Sequence, residues 1–263
     1  MELIEKKGEF KNRFANWSGN ESLATYPFVE NVYAPFAPLK RALPLTNLAL
    51  ITSAGAYIDG TEPFDTTSRD GDLSFRELPI EIEAEDLRYA ARGYDAKYVQ
   101  EDRNAQIPID RLLEYEANGV IGKLNNVWWT MNGFIPNAAR VADELAPKIA
   151  ERVNRYQCQA ALFVPASRLC VQTLGIIARA VEQTGVPTML IAPERQIADK
   201  IRPPRTAFYL GEYGCVAGKP NWKQYQLRVL DESIRWIETF DQPAVRKLVV
   251  ELETETEQQR GEK

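Results

Sequence analysis

The sequence predicts an α/β protein with a largely parallel sheet and helices on both faces. The clearest signal is in residues 160–193: an apolar run, a short polar loop, a segment of helical periodicity and a second apolar run at 186–191. This succession is typical of a Rossmann-like βαβ unit. Ligands of such sheets bind beyond the carboxyl ends of the strands, so we expect chemistry first in the loop 167–170.

The chain before this unit begins irregularly. Residues 1–45 mix charged, aromatic and proline residues, which predicts one short helix followed by an irregular arm over the domain. An apolar run from Asn47 predicts a strand, and the small residues 52–55 after it either admit a ligand or form a plain tight turn. The aspartates in the polar loop 58–72 lack the spacing of an EF-hand, which favours solvated turns.

The remaining elements follow from apolar periodicity and from turn residues. An edge strand is predicted at 78–82, and residues 84–91 fit either a helical turn or a strand. A helix is predicted at 111–117 with Asp110 as its N-cap, because aspartate accepts hydrogen bonds from first-turn amides. Further predicted elements are a strand at 126–131, a long amphipathic helix at 138–156, a short helix at 194–200, a strand at 206–209 and a helix at 221–240.

These elements divide the chain into three expected parts. An N-terminal arm covers residues 1–45, an α/β domain covers 46–250, and a charged tail covers 251–263. The tail is expected to be disordered because it contains almost no apolar residues. The domain is expected to be either one unit or two α/β lobes that divide near residue 137.

Charge and composition exclude several classes of partner. The formal net charge of −5 argues against a nucleic-acid or anionic-membrane surface, because either partner requires a concentrated basic face. No apolar stretch approaches the length of a membrane span, and the first residues are too charged for a secretory signal. A cytoplasmic protein is therefore expected.

The residue inventory restricts the available chemistry. Histidine is absent, which excludes a Ser-His-Asp hydrolase and a histidine metal site. Three widely spaced cysteines indicate neither a disulfide framework nor a zinc cluster, so no metal is predicted. The segment 214–220 has the wrong spacing for a phosphate loop, and no dinucleotide fingerprint follows any strand. No flavin or nicotinamide signal is present, and the cofactor is left unknown.

Cys170 is the strongest candidate for a reactive side chain. A thiol near a helix N-terminus is exposed to the positive end of the helix dipole, which lowers its pKa and raises its thiolate fraction. Arg168 strengthens this effect if its side chain points the same way. The alternative is that Cys170 only packs in the core, as free cysteines commonly do.

Several short motifs, in order along the chain, give the sequence a family resemblance. They lie at 52–55, 63–65, 71–76, 94–95, 108–112, 133–137, 165–170, 185–188, 203–205 and 218–220. Together they resemble the selenoprotein B family of the glycine, sarcosine, betaine and D-proline reductases, from about Leu48 to Val245. The resemblance implies reductive cleavage of a carbon–nitrogen bond.

The resemblance also identifies candidate site residues and two departures. Family members carry selenocysteine or cysteine followed three positions later by cysteine, where this chain has Ser167 and Cys170. They place histidines around the Tyr94-Asp95 pair, where Arg92 and Ala96 stand here. The candidate catalytic residues are Cys170, Ser167, Asp95 and Tyr94, and the candidate substrate-binding residues are Thr52, Ser53, Arg168, Asn132 and Arg111.

Three functions are compatible with this pattern. The first is a reductase-like enzyme that acts on a carbon–nitrogen or similar bond of a small polar substrate through the Cys170 thiol. The second is a non-catalytic subunit that pairs with an active homologue in a homo- or hetero-oligomer. The third is a redox-free enzyme in which Asp95, Tyr94 or Asp110 acts as acid or base.

Overall fold

A mostly parallel sheet organises the computed structural model, which describes residues 1–250. The order of its strands is β10-β9-β8-β7-β1-β6-β3, and β5 also pairs with β1. The strands are β1 (Asn47–Thr52), β2 (Ala56–Ile58), β3 (Arg76–Pro79), β4 (Leu87–Tyr89), β5 (Lys123–Leu124), β6 (Val127–Thr130), β7 (Ala160–Val164), β8 (Thr188–Ala192), β9 (Arg205–Phe208) and β10 (Ala244–Lys247). Only β3 joins this sheet antiparallel, and β2 and β4 form a separate two-stranded sheet.

Helices cover the sheet on both faces. They are α1 (Lys7–Ala15), α2 (Lys97–Glu101), α3 (Ile109–Ala117), α4 (Ala138–Arg140), α5 (Ala146–Arg155), α6 (Arg168–Gln183), α7 (Arg195–Ile201) and α8 (Lys223–Thr239). The predicted fold class is thus confirmed. In the part of the chain that the structure describes, no helix has both the length and the apolar character of a membrane span.

The alternation of side chains along the central strands creates two hydrophobic layers. In β1, Ala49 and Ile51 pack with α5 and α6, whereas Leu48 and Leu50 face the layer that contains α3 and α8. Successive side chains of a strand point to opposite faces, so a strand that is buried on both sides must be apolar throughout. This requirement explains the continuous apolar runs of β1 and β7.

Strands from both halves of the chain belong to the same sheet. β1 lies between β6 and β7, so the chain passes to one side of β1 and then to the other. The predicted division near residue 137 falls between β6 and α4. β6 precedes this point and β7 follows it, and both pair with β1. Where strand order reverses in this way, a crevice opens at the carboxyl ends of the strands. The fold therefore places a potential site beyond Thr52.

Some local predictions differ from the structure. Asp110 is not the N-cap of α3, because Pro108 holds that position and Asp110 lies in the first turn. The Asp110 carboxylate instead accepts hydrogen bonds from Arg103 and Asn104. The edge strand lies at Arg76–Pro79, about two residues earlier than predicted.

Residues 84–91, which fit two predictions, and the predicted helix 138–156 each contain more than one kind of element. Residues 84–91 contain both predicted elements in succession, a 3-10 turn at Ala84–Asp86 and then β4. The long helix predicted at 138–156 contains a π-helical turn at Val141–Leu145, between α4 and α5. Pro147 follows this turn and has no N–H to donate back into it, which disfavours regular α-helical bonding there.

Residues 1–45 contain α1 and otherwise little regular structure, and they pack along α6. Arg179 of α6 is buried and donates hydrogen bonds to the backbone carbonyls of Glu2, Leu3, Tyr33 and Arg202. Burial lowers the pKa of Arg179 to about 10, so this guanidinium remains charged at neutral pH. The helix that follows the candidate loop is thus held from outside by the N-terminal residues. The tail 251–263, predicted to be disordered, lies outside the described residues.

Candidate functional site

Three strand ends meet where the fold predicts a site. Thr52 of β1 is in register with Thr130 of β6 on one side and with Val164 of β7 on the other. Ser53, the next residue, donates its amide to the Val164 carbonyl at 3.3 Å, and its hydroxyl accepts from the Ala166 amide at 2.9 Å. The loops after β1 and β7 are thus joined by hydrogen bonds.

Ser167 and Cys170 form the first turn of α6. Ser167 is the N-cap, and its Oγ accepts a hydrogen bond from the Cys170 amide at 3.3 Å. The same hydroxyl lies 2.9 Å from the Cys170 sulfur, to which it donates. Serine is a preferred N-cap because its oxygen satisfies a free amide of the first turn. Ser167 therefore has a structural role, as the N-cap of α6.

The environment of Cys170 contradicts the expected lowering of its pKa. The side chain is buried at 1% exposure, and burial disfavours the charged thiolate. Burial raises the pKa of the Cys170 thiol, although hydrogen bonds from Ser167 and Ser53 act in the opposite direction. Arg168 does not assist, because its guanidinium pairs with Glu194 at 3.1 Å. Desolvation outweighs the helix N-terminus, and the thiol is neutral at physiological pH.

Gly133, in the loop after β6, closes the site from below. A Cβ atom on this glycine would lie 2.4 Å from Ser53 Cβ and 2.9 Å from the Cys170 sulfur. Its carbonyl accepts a hydrogen bond from Thr173 Oγ1 at 2.7 Å, which fixes the loop to α6. Only glycine allows the backbone to approach both side chains this closely.

Gly133→Ala is expected to destabilise the fold by about 1–3 kcal/mol, because a methyl group must displace Ser53 or Cys170. Chemical denaturation of the purified chain measures the change in the free energy of unfolding. The matched control is Gly8→Ala in α1, where an added Cβ meets nothing within 4 Å. That change is expected to be neutral or slightly stabilising. Equal effects of the two substitutions would contradict the close packing described for Gly133.

A segment formed by residues 90–95, called the strap below, covers the site from above. The Ala90 carbonyl accepts a hydrogen bond from Asn132 Nδ2 at 3.2 Å, and the Tyr94 hydroxyl donates to the Ala54 carbonyl at 2.6 Å. Gly93 lies against Phe134 and Ser167, since an added Cβ would be 2.5 Å from Phe134 and 3.3 Å from Ser167. The strap thus contacts the loops after all three strands.

The predicted acid and base candidates in the strap face different surroundings. Tyr94 is largely buried, and burial raises the pKa of its hydroxyl, with Cys170 adding to the effect. Asp95 is exposed, and its carboxylate accepts from the Lys97 amide at 3.0 Å and pairs with Lys97 Nζ at 3.3 Å. The hydrogen bond from the Lys97 amide holds the pKa of Asp95 below its usual range. Tyr94 therefore belongs to the site, whereas the Asp95 side chain faces solvent.

The remaining predicted binding residues divide in the same way. Thr52, Ser53 and Asn132 are buried at the strand ends, and Asn132 bonds the strap to the sheet. Arg111 lies on α3, where its side chain bonds Gln226 of α8 and Glu114. The structure thus brings Thr52, Ser53 and Asn132 to the loop 167–170 but not Arg111.

Tyr213 is a site residue that the sequence analysis missed. Its hydroxyl donates to Glu194 at 3.1 Å, and Glu194 also binds Arg168. The pKa of Tyr213 is raised by burial first, and among the smaller contributions is the nearby Cys170. The adjacent Gly214 donates its amide to the Ala166 carbonyl at 3.0 Å. The signal available in the sequence was its place in the loop after β9, at the same edge of the sheet.

Comparison with known proteins finds a matching family and several relatives. A family model described as glycine/sarcosine/betaine reductase selenoprotein B matches residues 19–166. The chain is 27% identical over 224 residues to the D-proline reductase subunit gamma of Acetoanaerobium sticklandii, covering 83% of this chain and 90% of that protein. No solved structure matches the chain significantly.

Other relatives are longer than this chain. The glycine reductase complex component B subunit gamma of Symbiobacterium thermophilum is 27% identical over 65% of this chain and 40% of its own length. The sarcosine reductase complex component B subunit beta of Peptoclostridium acidaminophilum is 23% identical over 72% of this chain and 44% of its own length. The chain therefore spans less than half of these two relatives.

Proposed function

Since the chain belongs to the glycine/sarcosine/betaine reductase selenoprotein B family, we propose that it is a subunit of a reductase-type complex acting on a small amino acid or similar polar molecule. In this proposal the chain contributes the residues that the strap covers at the carboxyl ends of β1, β6 and β7. A homologous partner subunit with an intact chalcogen pair carries the reducing electrons.

The observation that carries this proposal is the state of the loop at the start of α6. Forming a disulfide from two thiols releases two electrons and two protons, and this loop offers only one thiol. Its other member is the Ser167 hydroxyl, which is used as an N-cap and cannot undergo this redox cycle. The remaining thiol, Cys170, is buried and has a raised pKa. All three cysteines are free.

A single-thiol enzyme is the second candidate, and one observation favours it. The Cys170 sulfur receives hydrogen bonds from Ser167 and Ser53, and both would stabilise a thiolate once formed. In such an enzyme the Cys170 thiolate would displace the amine of the substrate, so that a carbon–sulfur bond forms as the carbon–nitrogen bond breaks and the amine leaves with a proton. Two thiols of a partner would then reduce the thioether, which regenerates the Cys170 thiol and leaves the partner as a disulfide. The second candidate requires the strap to open, because only the thiolate is a nucleophile and a buried thiol is inert.

Thiol labelling against pH distinguishes the two candidates. We expect Cys170 in the folded chain to react with a small alkylating reagent much more slowly than an ordinary exposed cysteine at pH 8. Because the folded pKa is raised, the thiolate fraction is smaller than that of a free cysteine with a pKa of about 8.5 and grows only at higher pH. Mass spectrometry of peptides assigns the label among the three cysteines, and unfolded protein gives the reference rate. Rapid labelling of Cys170 near neutral pH would support the single-thiol enzyme instead.

The partner proposal is tested by isolating the tagged full chain from its own cells under mild salt. The expected result is co-purification of a homologue whose loop keeps Cys-x-x-Cys or selenocysteine. Cys170→Ser in this chain should then leave at least half of the reductase activity of the complex, whereas changing the homologue's loop should abolish it. Purification without any homologue, or loss of activity in Cys170→Ser, would contradict the proposal.

A further inference from the structure

Arg92 in the strap is a buried cation with an incomplete set of partners. Its side chain is only 9% exposed, and its Nε donates to Glu21 Oε1 at 2.9 Å. Its Nη1 donates to the Ser68 carbonyl at 2.6 Å, and the guanidinium carbon lies 4.6 Å from the centre of the Phe134 ring. Among the contacts of the described residues, Nη2 has no hydrogen-bond acceptor. A guanidinium of this kind has donors available for a bidentate carboxylate.

The carboxylate that Arg92 does hold is weakly placed. Glu21 belongs to the N-terminal residues, and its side chain is 60% exposed. Its one described hydrogen bond from Arg92 uses a single oxygen, so the pair is monodentate. An ion pair with one exposed partner contributes little to stability. Another carboxylate that offers two oxygens can therefore replace Glu21 at small cost.

The position of Arg92 links it to the candidate site. Its neighbour Gly93 contacts Ser167, and its guanidinium stacks on Phe134. Phe134 follows Gly133, which contacts both Ser53 and Cys170. A small molecule with its carboxylate on Arg92 would thus lie beside the wall formed by Gly93 and Phe134. The space it needs for that carboxylate is the space that the Glu21 carboxylate occupies.

We propose that Arg92 binds the carboxylate of a small amino acid or other short carboxylic acid, and that Glu21 occupies this position while the site is empty. The inference deepens the proposed function, on which it rests, by naming the residue that binds the substrate carboxylate and the side chain that competes for it. Glu21 acts as an internal competitor: the substrate carboxylate displaces it and frees the N-terminal residues from the strap. Removing the Glu21 charge therefore raises the apparent affinity for acids.

Calorimetric titration of the purified full chain tests this site. The ligands are D-proline, sarcosine and glycine, each compared with its carboxamide, which lacks the negative charge. Glu21→Gln is expected to bind the acids about 3- to 5-fold more tightly than the unchanged chain. The gain is this small because the Arg92–Glu21 pair that competes with the ligand is itself weak. Arg92→Gln is expected to weaken binding of the acids at least about tenfold and to leave the amides unchanged.

Glu30→Gln is the matched control for Glu21→Gln. Glu30 is an exposed carboxylate of the same N-terminal region and pairs with Lys200 at 3.5 Å, so its removal changes the net charge equally. The Glu30→Gln variant should bind the acids with the same affinity as the unchanged chain. Thermal unfolding of each variant checks folding, and if Arg92→Gln does not fold, the comparison of Glu21→Gln with Glu30→Gln decides alone.

Three results would overturn the inference: no binding of any acid by Glu21→Gln, equal gains in Glu21→Gln and Glu30→Gln, or unchanged acid binding by folded Arg92→Gln. None of these results depends on a partner subunit. If acids bind through Arg92 but no homologue co-purifies, the inference stands and the complex proposal fails. If a homologue co-purifies but the titrations fail, the complex proposal stands and the inference about Arg92 fails.

Discussion

Replacing Ser167 by cysteine is expected to give this chain a dithiol that oxidises to a disulfide. The Ser167 oxygen already lies 2.9 Å from the Cys170 sulfur, so both side chains point to the same place. A disulfide requires a sulfur–sulfur distance of about 2.05 Å, which calls for a further approach of roughly 1 Å. The longer carbon–sulfur bond of cysteine supplies part of that approach.

The new thiol would lie closer to the helix N-terminus than Cys170 does, in a position that is equally buried. Position 167 is the N-cap, where the helix N-terminus stabilises a thiolate and where the Cys-x-x-Cys arrangement lowers the pKa. Burial at 1% exposure opposes thiolate formation at both positions, Ser167 and Cys170. The substitution removes a preferred N-cap at a cost of roughly 1 kcal/mol, which a folded domain tolerates.

The measurement is a thiol count and an intact mass before and after mild oxidation. Ser167→Cys should lose two thiols and about 2 Da, the mass of two hydrogen atoms, when the disulfide forms. The control is Ser167→Cys combined with Cys170→Ser, which has three cysteines, as the unchanged chain has, but lacks the pair. This control should form no internal disulfide. If Ser167→Cys keeps all its thiols under the same oxidant, the inferred convergence of the two side chains is wrong.

The outcome bears on how this chain departs from its relatives. If one substitution restores a redox pair, the pocket still has the geometry for that chemistry, and Ser167 alone accounts for its absence. If it does not, packing around Cys170 has changed as well, and the pocket serves binding only. Either result separates the electron-carrying role from the substrate-holding role within the proposed complex.

The fold was predictable because local patterns determine it. β7 is apolar throughout, and β1 and β8 have apolar centres with polar residues only at their ends, as is typical of strands buried on both faces. The helical period between β7 and β8 indicates a crossover helix. Ligands of such sheets bind beyond the carboxyl ends of the strands, which predicts a site at the loop 167–170 and at the small residues after β1, including Ser53. The structure brings these residues together.

The properties of the site were less predictable because they depend on distant contacts. A low thiol pKa was inferred for Cys170 from its helix, but the strap and the loop after β6 bury it, and both come from earlier in the chain. Arg111 sits in a family motif, yet its partner Gln226 lies 115 residues away and holds it on another face. The sequence shows Arg92 only as a departure from the family's histidine. Its pairing with Glu21 spans 71 residues, so no local pattern predicts it.

The second large expected effect is on stability. Glu182→Gln is expected to reduce the free energy of unfolding by about 3–5 kcal/mol, the cost of leaving a buried charge without its partner. Glu182 and Arg205 pair at 2.5 Å, and both side chains are fully buried. The Glu182 carboxylate also accepts hydrogen bonds from Ala37 and from the amide and hydroxyl of Thr188. Gln keeps the size of the side chain, so the loss comes from the missing charge and from the hydrogen bonds that the amide nitrogen cannot accept.

Two further variants isolate the cause of this loss. Glu144→Gln breaks an exposed pair with Arg140 one helical turn away and should cost less than about 0.5 kcal/mol. Glu182→Met combined with Arg205→Met removes both charges and should recover part of the stability, because buried ion pairs are often replaceable by apolar side chains. The recovery is incomplete because the Ala37 and Thr188 donors lose their acceptor. Chemical denaturation measures all three. A Glu182→Gln loss as small as that of Glu144→Gln would show that the pair is not buried as described.

The same substitution should loosen the N-terminal residues, because the pair holds them at Ala37. Glu182 accepts from the Ala37 amide at 2.7 Å and Arg205 donates to the Ala37 carbonyl at 2.6 Å, while the Arg205 guanidinium stacks on Phe36 at 4.1 Å. Limited proteolysis should therefore cut Glu182→Gln near residue 37 faster than the unchanged chain or Glu144→Gln. Glu21 belongs to the same N-terminal residues, so a chain loosened at Ala37 should also bind acids at Arg92 more readily. The stability of the fold would then control access to the site.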